Sequence, residues 1–224
     1  MTIEDNIFKK YIPDFLKLED FGFIKNDKTF TYNELFYENQ FRAVISIDKN
    51  GHLTGKVLDE ENNEEYIPLR IENKQGTFVN KVRFAYQNIL IKIREECFNK
   101  KYYIYPQSNR ITELIIKKYG NKPEFLWEKF EGTGIFRNPK TKKWYGIIMD
   151  VDRSKIQKGK SGIIEVLNVK LHPQNVINIV SKENFYKAYH MNKKYWISII
   201  LDESVNDEII MKLLEESHSF SEKK

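Results

Sequence analysis

The sequence is poor in cysteine and lacks any long apolar run. A single cysteine, Cys97, among 224 residues excludes an internal disulfide. No apolar stretch approaches the roughly 18 to 20 residues that a membrane span requires. Residues 1–6 are polar and acidic, which is unlike a signal peptide, and no segment is of low complexity. Together these absences predict a cytoplasmic protein of a reducing compartment that does not enter a membrane.

The composition favours a folded chain with an uneven charge. Hydrophobic residues make up 41% and aromatic residues 14%, enough for a core, and 224 residues allow one large domain or two small ones. Residues 1–98 hold 14 Lys and Arg against 17 Asp and Glu, a charge of −3, whereas residues 99–224 hold 23 against 15, a charge of +8. The asymmetry predicts two modules, the second facing an anionic partner. The alternative is a solvated, lysine-rich surface.

The first half predicts a helix, a four-stranded antiparallel meander and a second helix. Apolar residues recur at helical spacing over residues 3–19, where Pro13 predicts two short helices or a kink. Asn50-Gly51 marks a hairpin turn. A long helix over residues 78–98 begins with Thr77 as N-cap and carries Cys97 on its apolar stripe, which predicts a buried, inert thiol. The predicted strands cover residues 29–36, 40–47, 53–58 and 66–71.

The second half predicts a similar mixture of strands and helices. A helix over residues 108–119 ends at Gly120, and residues 123–130 form a short aromatic helix or turn. Strands are expected at 134–137, 144–151 and 163–171, and helices at 173–180 and 205–217, with Ile209, Ile210, Leu213 and Leu214 facing the core and Ser204 or Asn206 as cap. The fold class is therefore α+β, in two modules over residues 1–98 and 99–224, each an antiparallel sheet flanked by helices.

Residues 185–201 concentrate aromatic and basic side chains and then become a strand. In this strand Tyr195, Ile197, Ile199 and Leu201 alternate with Trp196, Ser198 and Ile200, so the two sets occupy opposite faces.

From about Gln107 to its end, the chain resembles the MmcQ/YjbR family. The resemblance lies in residues 125–127, 134–138 and 143–146 and in the signature over residues 189–197. The signature residues are Tyr189, His190, Met191, Asn192, Lys193 and Trp196. Residues 1–98 resemble the N-terminal extension of longer members. The resemblance implies a CyaY-like α/β sandwich for the second module and a double-wing, DNA-binding role.

Two basic hairpin loops, residues 137–143 and 152–160, lie where the two wings of such a domain would be. Both loops are expected to project from the edge of the sheet. In one interpretation their cations contact DNA phosphates with little dependence on the base sequence. In the other, the lysines only keep the loops solvated. The candidate phosphate contacts in these loops are Arg137, Lys140, Lys142, Lys143, Arg153, Lys155, Lys158 and Lys160, joined by Lys193 and Lys194 of the signature.

The signature itself allows two interpretations. Its rings and lysines suit a stacking surface for nucleic acid or another ligand. Alternatively, Trp196 and Tyr189 fill the interface between sheet and helices, and His190 or Asn192 completes a buried turn by hydrogen bonds.

Other chemistry is weakly represented in the sequence. Gly159-Lys160-Ser161 lacks the earlier glycine and the following helix of a phosphate-binding loop, and the four histidines show no metal-ligand spacing. We therefore expect no cofactor, no metal and no catalysis, although a pocket lined by Tyr189, His190 and charged neighbours would favour an enzyme. The alternative function is a protein-interaction module resembling secretion-chaperone folds. Residues 1–98 are a candidate surface for a protein partner.

Overall fold

A computed structural model describes residues 2–71 and 76–222 of the chain. The chain forms two compact units, Met1–Lys101 and Tyr102–Lys224. Each unit has its own sheet and its own core, and each is described by itself below.

Unit 1 combines short helices, one four-stranded sheet and one long helix. Its elements are α1 (Ile3–Phe8), β1 (Tyr11–Pro13), α2 (Phe15–Phe21), β2 (Ile24–Asn26), β3 (Thr29–Phe36), β4 (Phe41–Asp48), β5 (Leu53–Asp59), α3 (Thr77–Cys97) and β6 (Phe98–Lys100). The large sheet has the order β2-β3-β4-β5 and is antiparallel throughout. The apolar stripe of α3 packs on this sheet, and Val82, Tyr86, Leu90 and Ile93 belong to one core with Ala43, Ile45 and Ile47 of β4.

The predicted number of strands in the meander, four, is confirmed, but one of the four predicted strands is wrong. Residues 66–71 form a single 3-10 turn, Ile67–Arg70, because Pro68 cannot donate to a ladder and Arg70 turns inward to an acidic partner. The fourth strand is instead β2, a three-residue strand paired with β3. Two short helices, rather than one kinked helix, flank Pro13, and Pro13 itself lies in β1.

Two boundaries of α3 also differ from expectation. Gly76 occupies the N-cap position, and Thr77 is the first helical residue. Phe98, expected as the last residue of this helix, instead begins β6, which pairs with β1. This pairing holds the segment in unit 1, so the chain divides after Lys101.

Cys97 ends α3 as the buried residue that the stripe predicts. It is fully buried, and its thiol lies 3.8 Å from the carbonyl oxygen of Lys17. Burial raises the pKa of the thiol to about 11, so it stays protonated at neutral pH.

A buried charge network ties three parts of unit 1 together. The carboxylate of Glu4 is 3% exposed and accepts two hydrogen bonds from Arg70 at 2.8 Å. It also accepts one from the hydroxyl of Tyr86 at 2.5 Å, and Arg70 donates to the carbonyl of Gly55. A side chain at position 55 would overlap the Tyr86 hydroxyl, so glycine permits this close approach. The network joins α1, β5 and α3.

Unit 2 is a five-stranded antiparallel sheet with helices on one face. Its elements are α4 (Pro106–Tyr119), β7 (Gly134–Arg137), β8 (Trp144–Asp152), β9 (Ile163–Lys170), α5 (Pro173–Val180), β10 (Phe185–Lys187), β11 (Trp196–Ile200) and α6 (Asp207–Glu222). The strand order is β10-β11-β9-β8-β7. The predicted α+β class, with antiparallel sheets in both units, is confirmed.

The two faces of the unit 2 sheet are unequal. The helix face buries Leu167 and Val169 of β9 against Ile111 of α4 and Ile210 and Leu214 of α6 in the main core. The opposite face carries a smaller cluster. Its buried members are Val151, Ile164, Val166 and Ile200, covered by Met149, Ile156, Tyr186 and Tyr189.

Most predicted elements of unit 2 are present. Gly120 ends α4 with a φ of +71°, and the side chain of Asn206 accepts from the amide of Glu208 at 2.7 Å to cap α6. Ile210 and Leu214 are buried as expected, but Ile209 is 46% exposed. Among the described helices, none is long and apolar enough to cross a membrane.

Candidate nucleic-acid interface

The first loop, residues 138–143, is a tight turn between β7 and β8. The side chain of Asn138 accepts from the amides of Lys140 and Thr141 at 2.9 and 3.2 Å. Lys142 takes a positive φ of 62°, and the hydroxyl of Thr141 donates to the carbonyl of Ser221 at 2.5 Å. The last bond ties the first loop to α6, on the helix face of the sheet.

The candidate cations of the first loop are not equivalent. Arg137 is committed to Glu124 through two contacts of 2.7 and 2.5 Å. Lys140 and Lys142 are exposed. Lys143 is also exposed and takes part in a contact within the protein. Lys140 and Lys142 are therefore the two best placed to meet an external anion.

The second loop, residues 153–162 between β8 and β9, does not project as expected but folds back onto the helix-free face. Asp152 accepts from the amide of Ser154 at 2.9 Å, and this bonding lowers the pKa of Asp152. Arg153 donates to Gln157 at 2.6 Å, and Gln157 donates to the hydroxyl of Tyr186 at 2.6 Å. Ile156 packs on the small cluster of that face. Side-chain anchoring therefore overrides the tendency of a long basic loop to extend into solvent.

The cations of the second loop again divide into arginine and lysine. Arg153 lies 3.5 Å from Asp202 and also donates to Gln157, so its guanidinium is engaged in contacts within the protein. Lys155, Lys158 and Lys160 are exposed.

The two loops lie at opposite ends of β8. This strand has nine residues, which corresponds to about 30 Å at the usual rise per residue. The first loop is bound to α6 on one face, and the second loop covers the other face. The structure therefore does not bring the two sets of loop lysines together.

The signature segment instead approaches the second loop. Tyr189 packs on the small cluster of the helix-free face, and its backbone is held there by two fully buried side chains. Its amide donates to Ser198 at 3.0 Å, and its carbonyl accepts from Asn168 at 2.9 Å. Ser198 donates to Asn168 at 2.5 Å, which completes a latch between β9, β11 and the signature.

The core interpretation of the signature is correct for the burial of Trp196 and wrong for the face on which Trp196 lies, and Tyr189 is only half-buried. Trp196 is 7% exposed, but it shares a face with Ser198 and Ile200, away from the helices. The residues that meet the helices are Ile197 and Ile199. The strand begins at Trp196 rather than Tyr195.

The turn of the signature is exposed rather than buried. Asn192 accepts from the amide of Lys194 at 3.0 Å, and its carbonyl accepts from the amides of Tyr195 and Trp196. His190 is exposed with a φ of +56°, and its ring lies 4.0 Å from that of Tyr189. Lys194 points over the ring of Tyr195 at 5.3 Å.

A basic cleft of about 490 Å³ forms where the second loop meets the signature. Three lysines line it from three different elements: Lys155 from the second loop, Lys187 from β10 and Lys193 from the signature turn. The remaining lining residues are Ile156, Tyr186, Ala188, Tyr189, His190 and Met191. The cleft thus combines aromatic rings, a small apolar base and three cations.

Sequence reasoning identified Lys155, Tyr189, His190, Met191 and Lys193 of the cleft but missed Lys187 and Tyr186. Both belong to β10, a strand of only three residues whose position beside β11 is not visible in the sequence. The dense aromatic and basic composition of residues 185–201 was the one available signal.

The chemistry of the cleft suits an anion. In the described part of the chain, its lining includes no Asp or Glu, so no carboxylate among the lining residues neutralises Lys155, Lys187 or Lys193. A pocket lined by Tyr189, His190 and charged neighbours is therefore present, but its charges are all lysine. Over residues 2–71 and 76–222, no three potential His, Cys, Asp or Glu ligands come together for a metal ion.

The comparisons with known proteins concern the second half of the chain. A family model named YjbR matches residues 116–220. The uncharacterized protein YyaQ of Bacillus subtilis strain 168 is 38% identical over 107 residues, which cover 48% of this chain and 91% of YyaQ.

Solved structures give weaker likenesses. A crystal structure of a Pseudomonas syringae protein is 33% identical, with a TM-score of 0.49, and the match covers 50% of this chain and 96% of that chain. Deinococcus radiodurans protein DR2400, a DUF419 domain, is 19% identical with a TM-score of 0.38, covering 51% of this chain and 75% of that one.

Proposed function

The chain belongs to the YjbR family, and from that premise and the basic cleft we propose that it binds DNA by contacting the phosphate backbone, without strong sequence reading. The observation that carries the proposal is the grouping of exposed lysines around the second loop and the cleft. Lysine is a flexible point charge that meets phosphate without selecting a base, so affinity comes mainly from counterion release.

The charge of unit 2 supports an anionic partner. Residues 102–224 hold 21 Lys and Arg against 15 Asp and Glu, a formal charge of +6. Both candidate loop arginines, Arg137 and Arg153, are engaged in ion pairs within the protein. The proposed phosphate contacts are therefore lysines: Lys155, Lys158, Lys160, Lys187 and Lys193 at the second loop and cleft.

The first loop has a lesser part in this proposal. Because Lys140 and Lys142 lie at the far end of β8 and toward the helix face, a straight duplex on the helix-free face leaves them at its margin. The second loop and the cleft therefore contribute most of the affinity, and the first loop adds a weak electrostatic attraction.

The test is fluorescence anisotropy of a labelled duplex, titrated with the full chain across a range of salt. We expect log affinity to fall linearly with log salt, by about 0.9 per phosphate engaged. The charge reversal Lys155→Glu/Lys158→Glu/Lys160→Glu should weaken binding strongly and flatten this slope. Lys140→Glu/Lys142→Glu should have a smaller effect.

A matched control separates specific placement from net charge. The variant Lys28→Glu/Lys49→Glu/Lys56→Glu changes the charge equally but at exposed positions of unit 1. It should leave the salt slope unchanged. Absence of binding by the wild type at low salt, or equal losses in both triple variants, would rule out the proposed interface.

A second candidate function is a non-enzymatic protein-interaction module. A run of apolar side chains between α4 and β7 is exposed: Phe125 by 41%, Leu126 by 49%, Trp127 by 41% and Phe130 by 63%. Such a patch is typical of contacts with another protein. On this proposal, Leu126→Ser/Phe130→Ser abolishes capture of a partner that the wild type retains, and the wild type shows no salt-dependent DNA binding.

Both candidates are proposals of binding rather than catalysis.

Unit 1 is proposed to contact a protein partner through exposed apolar side chains. Leu16 is 83% exposed and Phe84 is 65% exposed. Substituting these two residues by serine should weaken partner binding without altering the salt slope for DNA.

A further inference from the structure

The basic cleft has features that phosphate contact alone does not use. Lysines on an open loop suffice to follow a phosphate backbone. Here, however, three lysines surround a concave space of about 490 Å³ that also contains aromatic rings and an apolar base. This volume falls within the range of roughly 300–1,000 Å³ that is common for sites taking small molecules or single groups.

The rings are held at the cleft by specific contacts. The buried pair Asn168 and Ser198 fixes the backbone of Tyr189 from below, and Gln157 fixes the hydroxyl of Tyr186. His190 adopts a left-handed backbone conformation and keeps its ring 4.0 Å from that of Tyr189. The site is therefore built in the protein by itself, so a ligand meets rings that are already ordered.

The combination of groups defines the class of ligand. Aromatic side chains at the edge of a cleft favour a planar ring, and three lysines without a facing carboxylate favour a phosphate. A nucleotide offers both groups within one residue. Bases inside a duplex are already stacked on their neighbours, so only an unpaired base can present its face to protein rings.

We infer that the basic cleft takes one unpaired nucleotide, with its base against Tyr189 and His190 and its phosphate among Lys155, Lys187 and Lys193. This inference rests on the proposed function, which it refines: the chain prefers DNA with a single-stranded end or an extruded base over a fully paired duplex. The same chemistry would admit a free nucleotide, so the experiment distinguishes the two sources.

The experiment uses the full chain and two labelled duplexes, one blunt and one with a single-stranded overhang carrying 2-aminopurine. Stacking of one base should make the overhang bind about tenfold more tightly and quench the 2-aminopurine fluorescence. His190→Asn removes the imidazole while keeping a residue that tolerates the left-handed conformation. It should reduce the preference to about twofold or less and leave blunt-duplex affinity nearly unchanged.

Two further variants and one competitor complete the design. Lys187→Gln should lower the affinity for the overhang duplex more than the affinity for the blunt duplex. Lys140→Gln in the first loop should lower both affinities equally. Deoxyadenosine monophosphate is added as the free nucleotide. Release of the overhang by this nucleotide, without release of the blunt duplex, would place a nucleotide in the cleft.

The outcomes separate this inference from the proposed function. If both duplexes bind equally, with no quenching, the inference is overturned and phosphate binding stands. If neither duplex binds at low salt but deoxyadenosine monophosphate shifts the ring resonances of Tyr189 and His190, the proposed function fails while the cleft remains a nucleotide site. Binding of neither DNA nor nucleotide overturns both.

Discussion

At the scale of single residues, two buried carboxylates, one in each unit, have several defined hydrogen-bond partners. Glu4 in unit 1 and Glu165 in unit 2 illustrate this: the second is 1% exposed and accepts from the amides of Ile104 and Tyr105 at 2.7 and 3.0 Å. Burial raises the pKa of Glu165, while these hydrogen bonds oppose the shift. Each carboxylate joins segments that are distant in sequence, so neither role was visible in the local pattern.

The first prediction concerns Glu4. The substitution Glu4→Gln leaves the guanidinium of Arg70, whose side chain is 24% exposed, with only Glu65 at 3.9 Å as a charged partner and weakens the bond from Tyr86. We expect the free energy of unfolding of unit 1 to fall by about 2–4 kcal/mol. Urea titration followed by far-ultraviolet circular dichroism measures the change.

The control for Glu4 is an exposed acidic residue of the same unit. Glu19 lies 3.5 Å from Lys25, and both side chains are more than half exposed. Glu19→Gln should therefore change stability by less than about 1 kcal/mol. A similar effect of the two substitutions would show that the Glu4 network adds nothing beyond an exposed ion pair.

Single-residue burial was only partly predictable from sequence. The apolar stripe of α3 correctly predicted that Cys97 is buried, because a long helix displays one face repeatedly, and Cys97 is one of seven buried residues of that helix. Trp196 was predicted buried but on the wrong face, since alternation along β11 separates two faces without saying which one the helices cover. Lys187 of the cleft could not be placed, because its position depends on pairing with a distant strand.

At the scale of elements, the helix-free face of unit 2 depends on a latch between β9, β11 and the signature. Ser198→Ala leaves the amide of Tyr189 and the side chain of Asn168 without a shared partner in a buried place. We expect a loss of about 1–3 kcal/mol. All three tryptophans of the chain lie in unit 2, so tryptophan fluorescence during urea unfolding reports on this unit alone.

The matched control for the latch is Ser219→Ala in α6. Its hydroxyl donates to the carbonyl of Glu216 at 2.7 Å in an exposed position. The change should stay within about 0.5 kcal/mol. If Ser198→Ala were equally mild, the hydroxyl would not be what holds Tyr189 at the cleft.

A third prediction concerns the contact between α4 and α6. His218 of α6 stacks on Tyr119 at 4.1 Å and meets the edge of Tyr145 at 4.8 Å. Burial, assisted by Lys118, lowers the pKa of His218, although Glu222 at 3.6 Å opposes the shift. The unfolded chain therefore takes up a proton near pH 6.5 while the folded protein resists it, and stability falls as the pH drops below about 6.5.

His218→Phe tests this linkage because phenylalanine keeps the stack and cannot titrate. We expect the wild type to lose more stability than the variant between about pH 7.5 and pH 5.5. Tryptophan fluorescence during urea unfolding at each pH measures the difference. Parallel losses in the two proteins would mean that His218 has the same pKa folded and unfolded.

Elements with strong local signals were the ones that sequence placed well. Two of these signals are local conformational preferences, the turn at Asn50-Gly51 and the end of α4 at Gly120. The third is the short apolar pattern of β7. Residues 66–71 were misassigned because their apolar composition resembles a strand, while the inward bond of Arg70 to Glu4 decides for a turn. The folding back of the second loop likewise depends on the distant hydroxyl of Tyr186.

At the scale of the whole molecule, charge and family membership both separate the two units. Residues 1–101 hold 16 Lys and Arg against 17 Asp and Glu, a charge of −1, so the basic surplus belongs to unit 2. The composition predicted this asymmetry because the net charge of a segment follows from its sequence and does not depend on the fold. It did not predict the distance of about 30 Å between the basic loops, which follows from the length of β8.

The last prediction is that unit 2 folds and binds DNA without unit 1. Its core is made entirely of its own residues, the YjbR family model falls within it, and 107 residues of this chain match 91% of YyaQ. A fragment of residues 102–224 should therefore unfold in one cooperative transition, detected by tryptophan fluorescence. It should bind a duplex within about threefold of the full chain, with the same salt slope, because the lysines proposed to contact phosphate are all present. A folded fragment with a flatter slope would instead assign part of the phosphate contact to unit 1, and a fragment without a cooperative transition would show that unit 2 needs unit 1 to fold.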